Sequence, residues 1–132
     1  MAKQYERITK YLEILDTRTS GEWIEDTTSK GTKDDPIHLP WVSYSSEVDS
    51  FVQVFFDEFA DIDYWNNLEK RGLALDDLAT LDISDFDGDG ICTLITAVIR
   101  GDRFCEGILK EYIDNGVITR WLKRLLVIDE YR

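Results

Sequence analysis

One amphipathic stripe in the middle of the chain constrains the fold more than any other feature. Its apolar residues recur at i, i+3, i+4, i+7, i+8 and i+11, and they are Val48, Phe51, Val52, Phe55, Phe56 and Phe59. This is the period of an α-helix with one wide apolar face. Ser45 or Ser46 fits the N-cap, and Glu47 and Asp49 fit the acidic first turn. The stripe therefore predicts a helix that forms a central part of the core.

Six further segments show helical spacing, and they cover residues 5–15, 62–68, 75–79, 91–99, 105–112 and 118–125. The segment 91–99 is apolar almost all round, since Thr93 and Thr96 are its only hydrogen-bonding side chains, so we predict that it is buried. Gly72 and the pair at 115–116, Asn-Gly, are favoured helix stops. We predict that the apolar faces of the central helix, of 91–99 and of the basic last helix meet in one core.

Two short segments of strand-like composition lie between the first helix and the central helix. Residues 22–25 and 37–44 are rich in Trp, Ile and Val, and the polar stretch 27–36 between them is typical of a turn. Pro40 would confine the second strand to a sheet edge or a bulge. The predicted fold class is mainly α: a compact helical domain of about six to seven helices, with one small β-hairpin near residues 22–44. A length of 132 residues suits a single domain, 1–132.

Acidic residues are concentrated in the middle third of the chain. The formal net charge is −12, and residues 46–89 hold two Lys/Arg against thirteen Asp/Glu. A field of this sign repels phosphate groups, so we expect no direct binding of nucleic acid and no attraction to an anionic membrane. The simpler interpretation of the acidic stretch is a solvated surface. The alternative is a docking surface for a basic protein partner.

The thiol count and the lack of targeting signals indicate an intracellular protein. Two cysteines, Cys92 and Cys105, are too few for a disulfide scaffold. No apolar run approaches the roughly 20 residues that span a bilayer, and the N-terminus lacks the apolar core of a signal peptide. We therefore expect a cytoplasmic location.

Residues 85–90 reproduce the first half of an EF-hand-type calcium loop. Carboxylates occupy ligand positions 1, 3 and 5, and they belong to Asp85, Asp87 and Asp89. Position 12 is Thr96 instead of an acidic residue, so the loop would bind calcium only weakly. The favoured interpretation is a turn whose aspartates lie at the N-terminus of the following helix. We predict no metal site, with these three aspartates as a weak calcium candidate.

The run RGDRFCEG places four charged side chains between two strongly apolar helices, and they are Arg100, Asp102, Arg103 and Glu106. We expect Asp102 to cap the sixth helix, and Arg103 to pair with Glu106 across one helical face. Gly107 within a helix would need a packing reason, such as the close approach of another backbone. The favoured interpretation is a structural corner. The alternative is an anion-recognising arginine pair.

The string RGDRFCEG, followed by an apolar helix, a glycine stop and a basic last helix, resembles the signature of the bacterial DUF6508 family. The segment PWVSYSSEVDSFVQVFF and the tripeptide GEW near residue 22 are also similar to that family. The resemblance covers almost the entire chain. It implies a small bacterial cytoplasmic domain. No activity is assigned to the family, so the resemblance implies no catalytic residues.

No catalytic constellation is evident in the sequence. It contains no P-loop, no Rossmann glycine fingerprint and no HExxH motif. The single histidine, His38, would have to meet Cys105 in space to form a nucleophile pair, and we expect Cys105 to be buried and inert. The sequence favours a non-enzymatic protein without a cofactor, an acidic binding or regulatory module for a protein partner. The alternative is a small-ligand binder or enzyme at Arg100–Glu106, with Trp41 and Tyr44 as aromatic walls.

Overall fold

This computed structural model describes residues 4–17, 20–25, 31–32 and 40–131. Helices form most of the described part of the chain. In chain order the elements are α1 (Glu6–Thr9), α2 (Leu12–Thr17), β1 (Gly21–Ile24), β2 (Trp41–Tyr44), α3 (Ser46–Glu58), α4 (Tyr64–Lys70), a 3₁₀ helix (Leu75–Thr80), α5 (Gly88–Gly101), α6 (Ile108–Asp114) and α7 (Val117–Glu130). The predicted mainly α fold with one small hairpin is confirmed. None of these described helices has both the length and the apolarity needed to cross a bilayer.

Helix α5 is the centre of the fold and packs against α4, the 3₁₀ helix, α6 and α7. Every residue from Ile91 to Ile99 is buried, as the sequence predicted. Both of its threonine hydroxyls are hydrogen-bonded. The single proton of Thr93 Oγ1 is shared between Asp61 Oδ2 at 2.6 Å and the Asp89 carbonyl oxygen at 3.0 Å. Thr96 Oγ1 donates to the Cys92 carbonyl over 2.7 Å. The two buried threonine hydroxyls of this helix are thus hydrogen-bonded, so their burial avoids the free-energy cost of an unpaired polar group.

The predicted core is confirmed, because the apolar faces of α3, α5 and α7 belong to one cluster. Val48, Phe51 and Phe55 of α3 are buried, whereas Val52 and Phe59 are partly buried and pack against the same cluster. Ser45 caps α3 as predicted, since its Oγ accepts the backbone N–H of Val48 over 3.3 Å. Helix α7 contributes its fully buried apolar side chains, which are Ile118, Trp121, Leu122 and Leu125.

The first predicted helix is interrupted, because α1 ends at Thr9 and α2 begins at Leu12. At the break the Tyr11 N–H donates to the Ile8 carbonyl over 3.1 Å, an i to i−3 bond that tightens the turn. The Tyr11 ring is buried edge-on against Phe51, with its hydroxyl 2.7 Å from Ser50 Oγ. The tighter turn therefore lets this aromatic side chain reach α3.

The hairpin pairs Gly21 with Tyr44 and Ile24 with Trp41 in antiparallel register. Gly21 is required by the close approach of the two strands, since a Cβ there would lie 2.5 Å from the Ser43 carbonyl oxygen. Pro40 immediately precedes β2, where a missing N–H removes no bond from the sheet. Most of the predicted turn at 27–36 lies outside the described residues, as do residues 37–39 of the predicted second strand, which include His38.

Helix α4 forms in the segment that the apolar spacing of residues 62–68 indicated. It ends before Gly72, which adopts a φ of +68°, so the predicted stop is confirmed. Of the three apolar residues that indicated this helix, only Leu68 is buried. Ile62 is 94% exposed and Trp65 is 64% exposed. The apolar spacing therefore identified the helix correctly, but it did not identify a buried face.

Asp61 joins α3, α4 and α5 through its side chain. Its Oδ2 accepts hydrogen bonds from Thr93 Oγ1 over 2.6 Å and from Asn67 Nδ2 over 2.7 Å. Its backbone N–H donates to Thr96 Oγ1 over 3.0 Å. Burial acts to raise the pKa of the Asp61 carboxyl, but the hydrogen bonds from Thr93, Asn67 and the backbone outweigh it and lower the pKa below 3.8.

This network predicts an acid-sensitive contribution to stability. Because the folded-state pKa of Asp61 is lowered, its contribution is present above the unfolded-state value of about 4 and is lost as the pH falls through the folded-state value. We expect Asp61→Asn to lower the free energy of unfolding at pH 7 and to flatten its decline below pH 4. Urea denaturation at a series of pH values measures both effects.

Asp63→Asn is the matched control, because the Asp63 side chain is exposed and makes no capping hydrogen bond to α4. Below pH 4, the free energy of unfolding of Asp63→Asn should decline as it does in the parent protein. If Asp61→Asn and Asp63→Asn respond to acid in the same way as the parent protein, Asp61 does not stabilise the fold through its charge.

Candidate functional site

The charged run 100–107 forms a corner between α5 and α6, and Asp102 is its central acceptor. Asp102 Oδ1 accepts the backbone N–H of Gly107 over 3.1 Å and that of Leu109 over 3.2 Å. It also accepts the Tyr44 hydroxyl over 2.8 Å. Asp102 therefore caps α6 as predicted, and it also attaches strand β2 to the corner.

Glu106 makes a second attachment between the hairpin and the corner. Its Oε1 accepts the Val42 N–H over 2.7 Å. The Tyr44 hydroxyl, besides donating to Asp102, accepts the Lys110 N–H over 3.1 Å. Burial, followed by the hydrogen bond to Asp102, raises the pKa of Tyr44 well above its usual value, so the phenol stays protonated and keeps donating. Both carboxylates of the cluster thus hold the hairpin on the helices.

Gly107 precedes α6, so its predicted place within a helix is wrong. It adopts a φ of +90°, which no residue in a right-handed helix can have, and α6 begins only at Ile108. The predicted packing reason exists, but it is an aromatic ring and not a backbone. A Cβ at Gly107 would lie 2.3 Å from Cζ2 of Trp23. Glycine is therefore required both by the backbone conformation and by the ring of β1 above it.

The two arginines of the cluster are not part of these attachments. The predicted pairing of Arg103 with Glu106 is not formed, and Arg103 is exposed. Arg100 is partly buried, with its guanidinium carbon 5.1 Å from the centre of the Phe56 ring. Neither guanidinium forms an ion pair with any carboxylate in the part of the chain that the structure describes. The structural role predicted for the cluster therefore applies to its carboxylates and not to Arg103.

Both arginines line a groove between α3 and the corner, which we name the arginine groove. It has a volume of about 380 Å³ and is lined by Tyr44, Asp49, Val52, Gln53, Phe56, Ile99, Arg100, Asp102, Arg103 and Leu109. Of the two predicted aromatic walls, Tyr44 lines the groove, whereas Trp41 is 43% exposed and does not line it. Glu106 is directed to β2 instead.

A larger and more apolar cavity, which we name the aromatic cleft, lies on the other side of the corner. It has a volume of about 650 Å³ and is lined by Tyr64, Trp65, Leu68, Glu69, Leu73, Ala74, Leu75, Ala97, Gly101, Phe104 and Cys105. Its floor comes from α5, where a Cβ at Gly101 would lie 2.8 Å from Leu75 Cδ2. Phe104 is 90% exposed and Trp65 is 64% exposed, so two aromatic rings stand in solvent at one cavity.

Four acidic residues line the aromatic cleft or adjoin its lining residues in sequence. Glu69 lines it, Asp63 directly precedes α4, and Asp76 and Asp77 directly follow the lining residue Leu75. All four carboxylates are exposed, and none forms an ion pair within the described ranges. We call these four residues the acidic rim. Their negative charge is therefore available to a partner.

The two cysteines differ in accessibility. Cys92 is buried, and burial raises the pKa of its thiol to about 12. Cys105 is exposed at the aromatic cleft, so the prediction that it is buried is wrong. The reason is that residues 102–106 form a turn and not the first turn of α6, which turns Cys105 away from the core. The possible partner of Cys105, His38, lies outside the described residues.

The predicted turn at residues 85–90 caps α5. Asp87 is the N-cap, and its Oδ1 accepts the Gly90 N–H over 2.7 Å. The helix begins at Gly88, so Asp89 lies in its first turn. Within the described ranges, Asp85, Asp87 and Asp89 do not form a group of three ligands that could hold a metal ion. The role of this segment is thus that of a helix cap.

The functional feature that sequence reasoning missed is the aromatic cleft. The apolar spacing of Ile62, Trp65 and Leu68 predicts a helix but not the exposure of Trp65. The site predicted in the run RGDRFCEG consists of its charged residues without Phe104. The sequence contains one signal that Phe104 is exposed. Phe104 lies in a run with Arg103, Glu106 and other charged residues, so it has few apolar neighbours along the chain.

Comparison with known proteins gives one match. The model of a protein family described as "Family of unknown function (DUF6508)" matches residues 1–130. No curated protein and no solved structure matches the chain.

Proposed function

Because the chain belongs to the DUF6508 family, to which no function is assigned, we propose its function from its own surface. It is a binding module whose aromatic cleft holds an apolar segment of a basic protein partner. The observation that supports this most is the exposure of Phe104 and Trp65 at one apolar cavity of about 650 Å³.

Exposed aromatic rings at a concave apolar surface are typical of binding sites. Aromatic side chains bury about 150–250 Å² each and dominate interface energetics when a partner covers them. The ring of Phe104 packs against little of its own chain, so its burial would be gained almost entirely on binding. The neighbouring surfaces of Leu73, Ala74 and Leu75 extend the apolar contact.

The charge around the cleft selects the class of partner. The four carboxylates of the acidic rim have no cation of their own within the described residues. They attract Lys and Arg and repel acidic segments, which raises association rates and specificity. An amphipathic helix with an apolar face and basic flanks meets both requirements, since it places anchors at i, i+3, i+4 and i+7 into a groove.

The enzymatic alternative at the Arg100–Glu106 corner has less support. A catalytic acid or base must reach a substrate proton. Asp102 instead accepts the backbone N–H groups of Gly107 and Leu109 and the Tyr44 hydroxyl. Glu106 accepts the Val42 N–H of the hairpin. The geometry therefore favours binding over catalysis at this surface.

The test uses a short helical peptide of Lys and Leu with one apolar face, labelled with fluorescein, and measures its binding by fluorescence anisotropy. We expect saturable binding that weakens with salt. Phe104→Ser and Trp65→Ser should each weaken it at least about tenfold, which corresponds to a loss of about 1.4 kcal/mol. A peptide with Glu in place of Lys should bind at least about tenfold more weakly.

Ile62→Ser and Tyr131→Ser are matched controls, because both side chains are exposed and neither lines the cleft. They should bind the peptide like the parent. The proposal is wrong if the cleft variants and the control variants bind equally, since the peptide then binds through charge alone. It is also wrong if the protein dimerises and Phe104→Ser makes it monomeric, because a second copy then fills the cleft.

Cys105 provides an independent measurement of where the peptide binds. It is exposed at the cleft, whereas Cys92 is buried, so iodoacetamide should modify only Cys105 in the folded protein. Saturating Lys/Leu peptide should slow this modification severalfold. Unchanged modification at saturation would place the peptide elsewhere and contradict the proposal.

A further inference from the structure

We propose that the arginine groove is a second binding site, which takes a small organic anion. Its oxyanion group, a carboxylate or a phosphate, is held by Arg100 and Arg103. This site is separate from the aromatic cleft, because none of its lining residues lines the cleft.

Arg100 presents an unused donor in a fixed orientation. Its Nε is buried and has no hydrogen-bond partner among the described residues. Its guanidinium lies over the Phe56 ring at 5.1 Å, a cation–π contact that holds the planar group in place. Because this Nε is closed to solvent, an oxyanion in the groove would meet the terminal nitrogens of the guanidinium, which form no ion pair within the described residues. The planar guanidinium also matches the two oxygens of a carboxylate or phosphate.

Arg103 adds a second, exposed guanidinium to the same groove. The nearest carboxylate in sequence, Asp102, does not neutralise it, because Asp102 forms no ion pair and accepts three hydrogen bonds on Oδ1. The two arginines are therefore two guanidinium groups without an ion-pair partner among the described residues, on a protein with a net charge of −12. A positive charge without a counter-charge lowers stability, and proteins retain such a charge where it binds a ligand.

The remaining lining defines the rest of the ligand. Val52, Phe56, Ile99 and Leu109 provide apolar surface next to the arginines. Asp49 and Asp102 are the opposing charges in the groove, and neither forms an ion pair with Arg100 or Arg103. A ligand with one anionic group and an apolar or aromatic body fits this lining. A purely anionic ligand would gain nothing from the apolar residues and would meet Asp49.

The test titrates the protein with phenyl phosphate, benzoate and benzyl alcohol and follows the Nε–Hε resonance of Arg100 by NMR. We expect at least one of the two anions to shift this resonance saturably, and the tighter anion identifies the oxyanion class. Benzyl alcohol should not bind at the same concentrations. Inorganic phosphate should bind more weakly than phenyl phosphate, since it lacks the apolar body.

Substitutions distinguish a built site from general electrostatics. Arg103→Met should weaken binding of the tighter anion about tenfold, whereas Asp49→Asn should strengthen it severalfold. Lys123→Met is the matched control, because it removes one exposed positive charge from α7, outside the groove, and should leave binding unchanged. Arg103 is exposed, so its variant should fold like the parent.

Three results would overturn the proposal: no shift of the Arg100 resonance with either anion, equal losses for Arg103→Met and Lys123→Met, or equal binding of inorganic and phenyl phosphate. The outcome is independent of the proposed function, because Arg103→Met should still bind the Lys/Leu peptide like the parent, and Phe104→Ser should still bind the anion.

Discussion

Phe55→Ala should lower the free energy of unfolding by about 3–5 kcal/mol, the range for truncating a large aromatic residue in a packed core. The Phe55 side chain is fully buried, and it packs against the rings of Phe51, Phe56 and Phe59 at centroid distances of 6.1–6.4 Å. Its removal leaves a cavity in the core cluster to which α3, α5 and α7 all contribute, and the helices cannot close that cavity without moving. Urea denaturation of the parent and the variant measures the difference.

Gln53→Ala is the control for this prediction. Gln53 is exposed on the same helix and its side-chain Nε2 donates to the exposed Asp57, so its loss should cost less than about 0.5 kcal/mol. A loss below about 1 kcal/mol for Phe55→Ala would mean that the three helix faces do not form one tightly packed core.

Asp102→Ala should lower the free energy of unfolding by about 2–4 kcal/mol. One carboxylate oxygen of Asp102 accepts three hydrogen bonds, and a hydrogen bond to a charged group contributes about 1.5–3 kcal/mol. Water replaces some of these bonds in the variant, so the loss is smaller than their sum. The variant leaves the N–H groups of Gly107 and Leu109 and the Tyr44 hydroxyl without their acceptor. We expect a lower free energy of unfolding and faster amide hydrogen exchange in β1 and β2, which lose one attachment to the helices.

Asp102→Asn separates the charge from the acceptor, since the amide retains an oxygen at the same place. It should lose less stability than Asp102→Ala and keep slow exchange in the hairpin. Glu106→Gln should behave similarly, because its amide oxygen can still accept the Val42 N–H. If Asp102→Ala changes neither the denaturation midpoint nor the exchange of β1 and β2, then Asp102 does not hold the corner together.

The helices were predicted well where the apolar residues formed one clear stripe or covered the whole helix. The stripe of α3 and the all-round apolar segment of α5 leave one low-energy placement each, because exposing such surface to water costs about 25 cal/mol per Å². Helix caps and stops were also predictable from sequence, because they depend on backbone groups only a few residues away. The caps are Ser45 and Asp87, and the stops are Gly72 and Gly116.

Prediction was weaker where short segments carry both apolar and charged residues. Trp65 and Phe104 have apolar spacing or apolar character, but whether they are buried depends on which other elements cover them. No residue near them in sequence covers them, and the cleft between α4 and the corner stays open. The same limit applies to Arg103, whose predicted partner Glu106 instead binds a backbone amide that is 64 residues away in sequence.

The sequence by itself determined the mainly α fold, the hairpin, the composition of the core and the acidic middle of the chain, because these follow from local spacing, local caps and charge count. Only the tertiary structure decided which side of the charged run each residue faces. Asp102 and Glu106 turn toward the hairpin, Arg100 and Arg103 toward the arginine groove, and Phe104 and Cys105 toward the aromatic cleft. The physical reason is that Gly107, with its positive φ beneath the Trp23 ring, delays the start of α6 and leaves residues 102–106 in a turn, where neighbouring side chains point in different directions.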